Sequence, residues 1–142
     1  MGKCYNSTVI NAPIEKVWDT IKNFHELPWG SAVVTSTKKV GNKQSNEVGA
    51  QRILNDAFHE TLVSISNDEF TFSYRIDDGP GPVAKDTVLN YFGTVKLSPV
   101  TDSGETFIEW SSSFDSDNSN EVREFCNPIY AGLLDSLNAY LT

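Results

Sequence analysis

Residues 118–141, NSNEVREFCNPIYAGLLDSLNAYL, form the longest amphipathic segment of the chain. Apolar side chains recur in it every three or four positions, which predicts a helix with one buried face. Asn118 is suited to cap this helix, Glu121 can reach back to the cap, and Pro128 should kink the helix because it lacks a backbone N–H. A helix of about 22 residues is about 33 Å long, so it needs a partner surface as long as a small domain. The apolar positions that carry the pattern are Val122, Phe125, Cys126, Ile129, Leu133, Leu137, Tyr140 and Leu141.

The residues before this helix predict the partner surface. Residues 4–11 alternate between apolar and polar and predict a strand, and Asn11-Ala12-Pro13 then begins a helix that ends near Asn23. Residues 24–31 form an irregular link with room for a short second helix. Six further strands are predicted at 32–40, 48–55, 58–67, 69–77, 87–98 and 105–115. Because their connections are short, neighbouring strands must be antiparallel. The sequence therefore predicts an α+β fold in which a curved antiparallel sheet of about seven strands grips the last helix, as one domain over residues 1–142.

Composition narrows the classes of partner. The net charge of −8 argues against nucleic acid, because phosphate binding needs clustered Lys and Arg. No apolar run is long enough for membrane insertion, and Met1 opens onto no signal-peptide pattern, so we expect a cytoplasmic protein, monomeric or weakly homodimeric. His25, His59, Cys4 and Cys126 have no metal-ligand spacing, so we expect no metal and no cofactor.

Arg52 and Glu60 are the first candidates for chemistry. Period-two alternation places Arg52 on the face of Leu54, and Glu60 on the face of Phe58 and Leu62. If residues 55–57 form a three-residue hairpin loop, Arg52 lies directly opposite Glu60. The pair is then either a polar pair inside an apolar interior or a surface ion pair of little energetic value, and the spacing alone leaves both open.

Three aromatic side chains with polar tips follow the same alternation. Tyr74, Tyr91 and Trp110 each lie on an apolar strand face, where core packing is the default role. In a cavity their polar tips would instead meet a ligand or water, and Tyr91 would be the candidate proton donor.

The chain resembles a known superfamily over its whole length. The residues that carry the resemblance are 11–18 (NAPIEKVW), Phe24, Trp29, 48–52 (VGAQR), 60–62 (ETL), 74–76 (YRI), 90–91 (NY) and 108–110 (IEW). In this order and spacing they resemble the helix-grip superfamily of birch-pollen-allergen-like proteins, lipid-transfer START domains and polyketide cyclases. The closest resemblance is to the polyketide cyclase/dehydrase branch.

The resemblance implies a hydrophobic cavity between the concave face of the sheet and the last helix, open at one end. It places Arg52 and Glu60 inside, and we expect a volume of about 300–1,000 Å³. Hormone-receptor members carry a long gating loop where this chain has only residues 55–57, so residues 78–86 are the better lid candidate, with raised mobility and little apolar anchoring. Expected ligand contacts are Trp29, Leu54, Phe72, Tyr74, Trp110, Phe125, Ile129 and Leu133.

Two functions from different classes fit this site. In a cofactor-independent cyclase or dehydratase, Arg52 would polarise a carbonyl and Glu60 or Tyr91 would move the proton. In a non-catalytic carrier or sensor of small hydrophobic molecules, the same pair would only anchor a polar headgroup. A third reading is a co-chaperone-like domain that binds protein on the outer sheet face.

Overall fold

The computed structural model describes residues 1–142, and it confirms the predicted α+β fold. The strands are β1 (Gly2–Ile10), β2 (Thr37–Val40), β3 (Gln51–Leu54), β4 (Phe58–Ser66), β5 (Thr71–Asp78), β6 (Leu89–Pro99) and β7 (Thr106–Asp115). The helices are α1 (Ile14–Ile21) and α2 (Ser119–Leu141), and short 3₁₀ turns lie at Pro28–Gly30 and Gly81–Val83. No helix combines the length and the apolar character needed to cross a membrane.

All seven strands belong to one antiparallel sheet in the order β1-β7-β6-β5-β4-β3-β2. Strand β7, which precedes α2, pairs with β1, so the first and last strands along the chain are neighbours at one edge of the sheet. One face of the sheet packs against α2 and buries a single hydrophobic core with it. Strands β4 and β3 lie next to β2, which forms the other edge of the sheet, and they carry the candidate residues Arg52 and Glu60.

Helix α2 begins as predicted but buries a slightly different face. The side-chain carbonyl of Asn118 accepts from the Glu121 backbone N–H at 3.3 Å, and its side-chain amide donates to Glu121 Oε2 at 2.7 Å. The capping prediction is confirmed, although Glu121 reaches the side chain of the cap. Tyr140 is 55% exposed, so its predicted place on the buried face is wrong. The buried stripe consists of Val122, Cys126, Tyr130, Leu133, Leu134 and Leu137.

Two predicted strands are shorter than expected because turns replace their first residues. The strand predicted from residue 32 begins at Thr37, since the N–H groups of Val33 and Val34 both bond to the carbonyl of Gly30, at 2.9 and 2.8 Å. The strand predicted from residue 48 begins at Gln51, because Gly49 has a φ of 96°, in the left-handed region. The first of these turns places Val33 and Val34 beside α2 instead of in the sheet.

Candidate ligand pocket

An apolar cavity of about 250 Å³ lies between the sheet and the middle of α2, and 12 of its 15 lining residues are hydrophobic. The segment between α1 and β2 contributes Leu27, Val33 and Val34 to its wall. The three polar residues in the wall are Arg52, Asn55 and Glu60. Seven of the residues singled out from the sequence line it: Arg52, Leu54, Glu60, Tyr74, Trp110, Ile129 and Leu133.

Arg52 and Glu60 form an internal ion pair in this wall. The loop at residues 55–57 sets the register in which Arg52 lies opposite Glu60, and the two residues are only 4% and 6% exposed. Arg52 donates to Glu60 Oε1 through Nε at 2.8 Å and Nη2 at 2.7 Å. Its Nη1 donates to the Phe24 carbonyl at 3.0 Å, and the guanidinium carbon lies 3.9 Å from the centre of the Phe24 ring. Of the two arrangements that the spacing allows, the structure has the internal one.

The environment of Glu60 makes this carboxyl easy to protonate. Burial raises its pKa, because the charged form loses water, and the neighbouring Arg52 guanidinium opposes that shift without cancelling it. Both Arg52 donors go to Oε1, so Oε2 has no donor from the protein itself. The carboxyl can therefore present either an acceptor or a proton to a molecule in the pocket.

A buried chain of hydroxyl groups leads away from the cavity. Trp110 Nε1 donates to Tyr74 Oη at 2.9 Å, and Tyr74 Oη lies 3.4 Å from Tyr130 Oη. Tyr130 bonds to the hydroxyl of Tyr91, which donates to Ser112 Oγ at 3.1 Å. Burial raises the pKa values of Tyr74, Tyr91 and Tyr130, so all three hydroxyls stay protonated at neutral pH. Tyr74, Trp110 and Tyr130 line the pocket, and Tyr91 and Ser112 lie behind them.

Four candidate residues lie off the pocket wall. Trp29 is buried against Trp110, with ring centres 6.3 Å apart, and Phe72 packs against Trp18 at 6.3 Å. Phe125 stacks on Phe58 at 6.3 Å, on the flank of α2. Tyr91 stacks on Phe114 at 5.4 Å and is separated from the cavity by Tyr130. Their aromatic surface is used in packing, so the expectation that these four residues line the cavity is not met.

Sequence reasoning missed Tyr130, which both lines the pocket and connects the hydroxyl chain. The signal was present, because Tyr130 follows Cys126 by four residues and precedes Leu133 by three, which is the spacing of one helix face. Val33 and Val34 were missed because alternation alone assigned them to a strand.

The proposed lid is more firmly anchored than predicted. Val83, in its 3₁₀ turn, is fully buried, so the expectation of little apolar anchoring is wrong. Asp78 also accepts from the backbone N–H groups of Gly79 at 2.9 Å and Lys85 at 3.0 Å. These contacts tie residues 79–85 to the end of β5, beside Ile76, which lines the pocket.

Comparisons with known proteins agree with this architecture. The model of a family described as "Polyketide cyclase / dehydrase and lipid transport" matches residues 1–142. A solved protein from Nitrosospira multiformis is 44% identical, with a TM-score of 0.95 over 99% of this chain and 96% of that chain. The protein XoxI from Bacillus cereus is 25% identical, with a TM-score of 0.82 over 99% and 96%. A protein from Bacillus thuringiensis, 24% identical, shares the fold with a TM-score of 0.80 over 99% and 98%. A search of curated proteins gave no match.

Proposed function

Because the chain belongs to the polyketide cyclase/dehydrase and lipid-transport family, we propose that it binds a small, largely apolar or aromatic molecule in the pocket beneath α2. The observation that carries this proposal is a mostly hydrophobic cavity with one buried ion pair in its wall. Apolar walls supply affinity, and a few fixed polar groups orient the ligand. Arg52 and Glu60 are the fixed polar groups at this site.

The pocket volume limits the size of the ligand. At about 250 Å³ it is smaller than the 300–1,000 Å³ expected from the sequence. An engineered apolar cavity of about 150 Å³ holds one benzene molecule, so this pocket holds roughly ten non-hydrogen atoms. We therefore propose a ligand of one or two fused rings, in preference to a long-chain lipid.

Proton transfer is a second candidate function, favoured by the raised pKa and the free Oε2 of Glu60. In a dehydration, the Glu60 carboxylate would take a proton from the carbon next to a carbonyl. It would return that proton to the leaving hydroxyl, which departs as water while a carbon–carbon double bond forms. This chemistry needs no cofactor, and Arg52 would hold Glu60 in place. Tyr91 is too far from the ligand to be the acid, since Tyr130 lies between it and the cavity.

Calorimetric titration with naphthalene and indole tests the binding function. We expect saturable binding at one site in the wild type, and loss of binding in Ile129→Phe, which places a larger side chain in the cavity. Tyr140→Phe, on the exposed side of the same helix, is the control and should bind normally. Absence of saturable binding of either compound to the wild type would refute the proposal.

The variant Glu60→Gln distinguishes an enzyme from a non-catalytic carrier. If Glu60 moves a proton, the substitution should lower turnover of β-hydroxy carbonyl compounds by roughly 10²–10⁴ with little change in naphthalene affinity. Equal product formation by wild type and variant would exclude Glu60 as the acid or base.

A further inference from the structure

The hydrogen-bond donors in the buried tyrosine chain can be counted. A tyrosine hydroxyl has one proton, and the Trp110 indole can only donate. The Tyr91 proton is used toward Ser112, so the bond between Tyr91 and Tyr130 has to use the Tyr130 proton. Of the three hydroxyl protons, only the one on Tyr74 remains, and it points toward Tyr130.

This last bond is the weakest in the chain. The Tyr74 and Tyr130 oxygens are 3.4 Å apart, whereas hydrogen bonds between oxygens are typically about 2.7–2.8 Å long. Tyr74 can therefore redirect its proton at small cost. The Tyr130 oxygen still has acceptor capacity for a second donor, because among protein groups it accepts only from Tyr74.

Building on the proposed binding function, we infer that Tyr74 and Tyr130 together select a ligand bearing a hydroxyl or enol oxygen. That oxygen lies over the two tyrosine oxygens, accepts from Tyr74 and donates to Tyr130. A hydroxyl satisfies both groups. An ether or ketone oxygen only accepts, and so leaves the second contact unmade.

The protein holds the Tyr74 hydroxyl in a fixed position for this role. Its ring meets Trp110 edge-on, with centres 6.4 Å apart and planes at 85°. Gly93, opposite Tyr74 on β6, leaves room for the ring, since a methyl group added there would overlap the ring and its hydroxyl. The Arg52 guanidinium carbon lies 5.6 Å from the centre of the Tyr74 ring. The apolar lining residues Leu54, Ile129 and Leu133 are left to contact the body of the ligand.

Three naphthalene probes test the selection by titration calorimetry. Naphthalene has no polar group, 2-methoxynaphthalene can only accept, and 2-naphthol can accept and donate. We expect the wild type to bind 2-naphthol about tenfold more tightly than naphthalene, the factor for about 1.4 kcal/mol from new hydrogen bonds. The affinity for 2-methoxynaphthalene should lie between the two.

Two variants assign the contacts. Tyr74→Phe should lose the advantage of the methoxy probe over naphthalene and keep only the part of the 2-naphthol advantage that comes from donation to Tyr130. Tyr130→Phe should keep the advantage of the methoxy probe over naphthalene but lose the added advantage of 2-naphthol. Tyr140→Phe serves as the matched control and should leave the wild-type order unchanged.

Each outcome decides the inference. Equal wild-type affinities for the three probes would overturn it and leave the proposed binding function standing. An unchanged advantage of the methoxy probe over naphthalene in Tyr74→Phe would also overturn it. If no probe binds the wild type, the proposed function fails and the inference fails with it. Should Tyr74→Phe not fold, the order of the probes on the wild type and on Tyr130→Phe still decides.

Discussion

Arg52 and Glu60 carry opposite charges in an interior that is otherwise hydrophobic. Each ion loses most of its hydration there, and mutual attraction recovers that cost only while both partners are present. The Phe24 carbonyl and ring fill the remaining contacts of Arg52, so its guanidinium has little freedom to move. The free energies of unfolding of single and double variants should therefore measure how strongly the two ions depend on each other.

Removing one partner should be far more damaging than removing both. We expect Arg52→Met to lower the free energy of unfolding by about 3–5 kcal/mol, because Glu60 is left buried without its counter-ion. The double variant Arg52→Met/Glu60→Leu should recover most of that loss. Lys22→Met is the control, since Lys22 and Asp19 form an exposed pair at 2.8 Å and should matter by about 0–1 kcal/mol. Urea unfolding measures all three, and an equal loss in the single and double variants would contradict this account.

The raised pKa of Glu60 predicts the direction of a pH effect. A carboxyl whose pKa is higher in the folded protein than in the unfolded chain gives its full stabilising contribution below the unfolded pKa of about 4.3. That contribution is lost as the pH rises through the folded pKa. The free energy of unfolding of the wild type should therefore fall relative to Glu60→Gln as the pH rises from about 4.3. Paired urea titrations across pH 4–8 measure the difference. If the wild type instead becomes more stable relative to Glu60→Gln as the pH rises, Arg52 outweighs burial.

At the residue scale, the sequence predicted the ion pair but not the hydroxyl chain. A three-residue loop between two alternating strands leaves one register, so the pairing of Arg52 with Glu60 followed from local spacing. The contact between Tyr74 and Tyr130 joins β5 to α2 across 56 positions, and local spacing carries no information on such a meeting.

Among the elements, α2 serves both the packed core and the pocket wall. Val122 and Leu137 are 1% and 0% exposed and do not line the cavity, whereas Ile129 and Leu133 do. A side chain that faces a void has fewer neighbours on that side, so it contributes less packing energy. The helical period could be predicted from sequence, but the division between core and wall depends on where the sheet diverges from the helix.

Alanine substitutions along α2 should reveal this division. Leu137→Ala should lower the free energy of unfolding toward the upper end of the range of about 2–5 kcal/mol for buried aliphatic side chains, and Ile129→Ala toward the lower end or below it. Chemical denaturation of the two variants gives the comparison. Similar losses at both positions would indicate that α2 is close-packed along its whole length and would weaken the case for a ligand site.

The lid segment shows why some loops resist prediction from sequence. Gly79, Pro80, Gly81 and Pro82 predict a stiff, poorly anchored loop, yet the next residue, Val83, is fully buried. One valine after four turn residues has no periodicity, so no local pattern distinguishes an anchor from a surface residue. The order of the elements, in contrast, followed directly from the change of period between strands and helix.

At the scale of the whole molecule, the sheet and α2 enclose space that a close-packed domain would fill. Unfilled core volume costs about 24 cal/mol per Å³ in closed, cavity-creating variants, so about 250 Å³ corresponds to at most roughly 6 kcal/mol of forgone packing in a pocket that is partly open to solvent. Typical domains are stable by about 5–15 kcal/mol, which makes this void large on the scale of the whole protein. A ligand that fills it should raise the free energy of unfolding by mass action as well as by contact.

The cavity beneath α2 also has a mechanical consequence. The part of this space that is free of water in the folded protein disappears when the chain unfolds, so unfolding should reduce the volume of the system. The upper bound, for a completely dry pocket of about 250 Å³, is about 150 mL/mol. Typical volume changes of unfolding are about −20 to −100 mL/mol, and we expect this protein at the large end. Tryptophan fluorescence under hydrostatic pressure measures the change, and Ile129→Phe should make it smaller. The same cavity that can hold a ligand therefore makes the folded protein easier to unfold under pressure. A bound ligand fills the cavity and should restore the resistance of the protein to pressure.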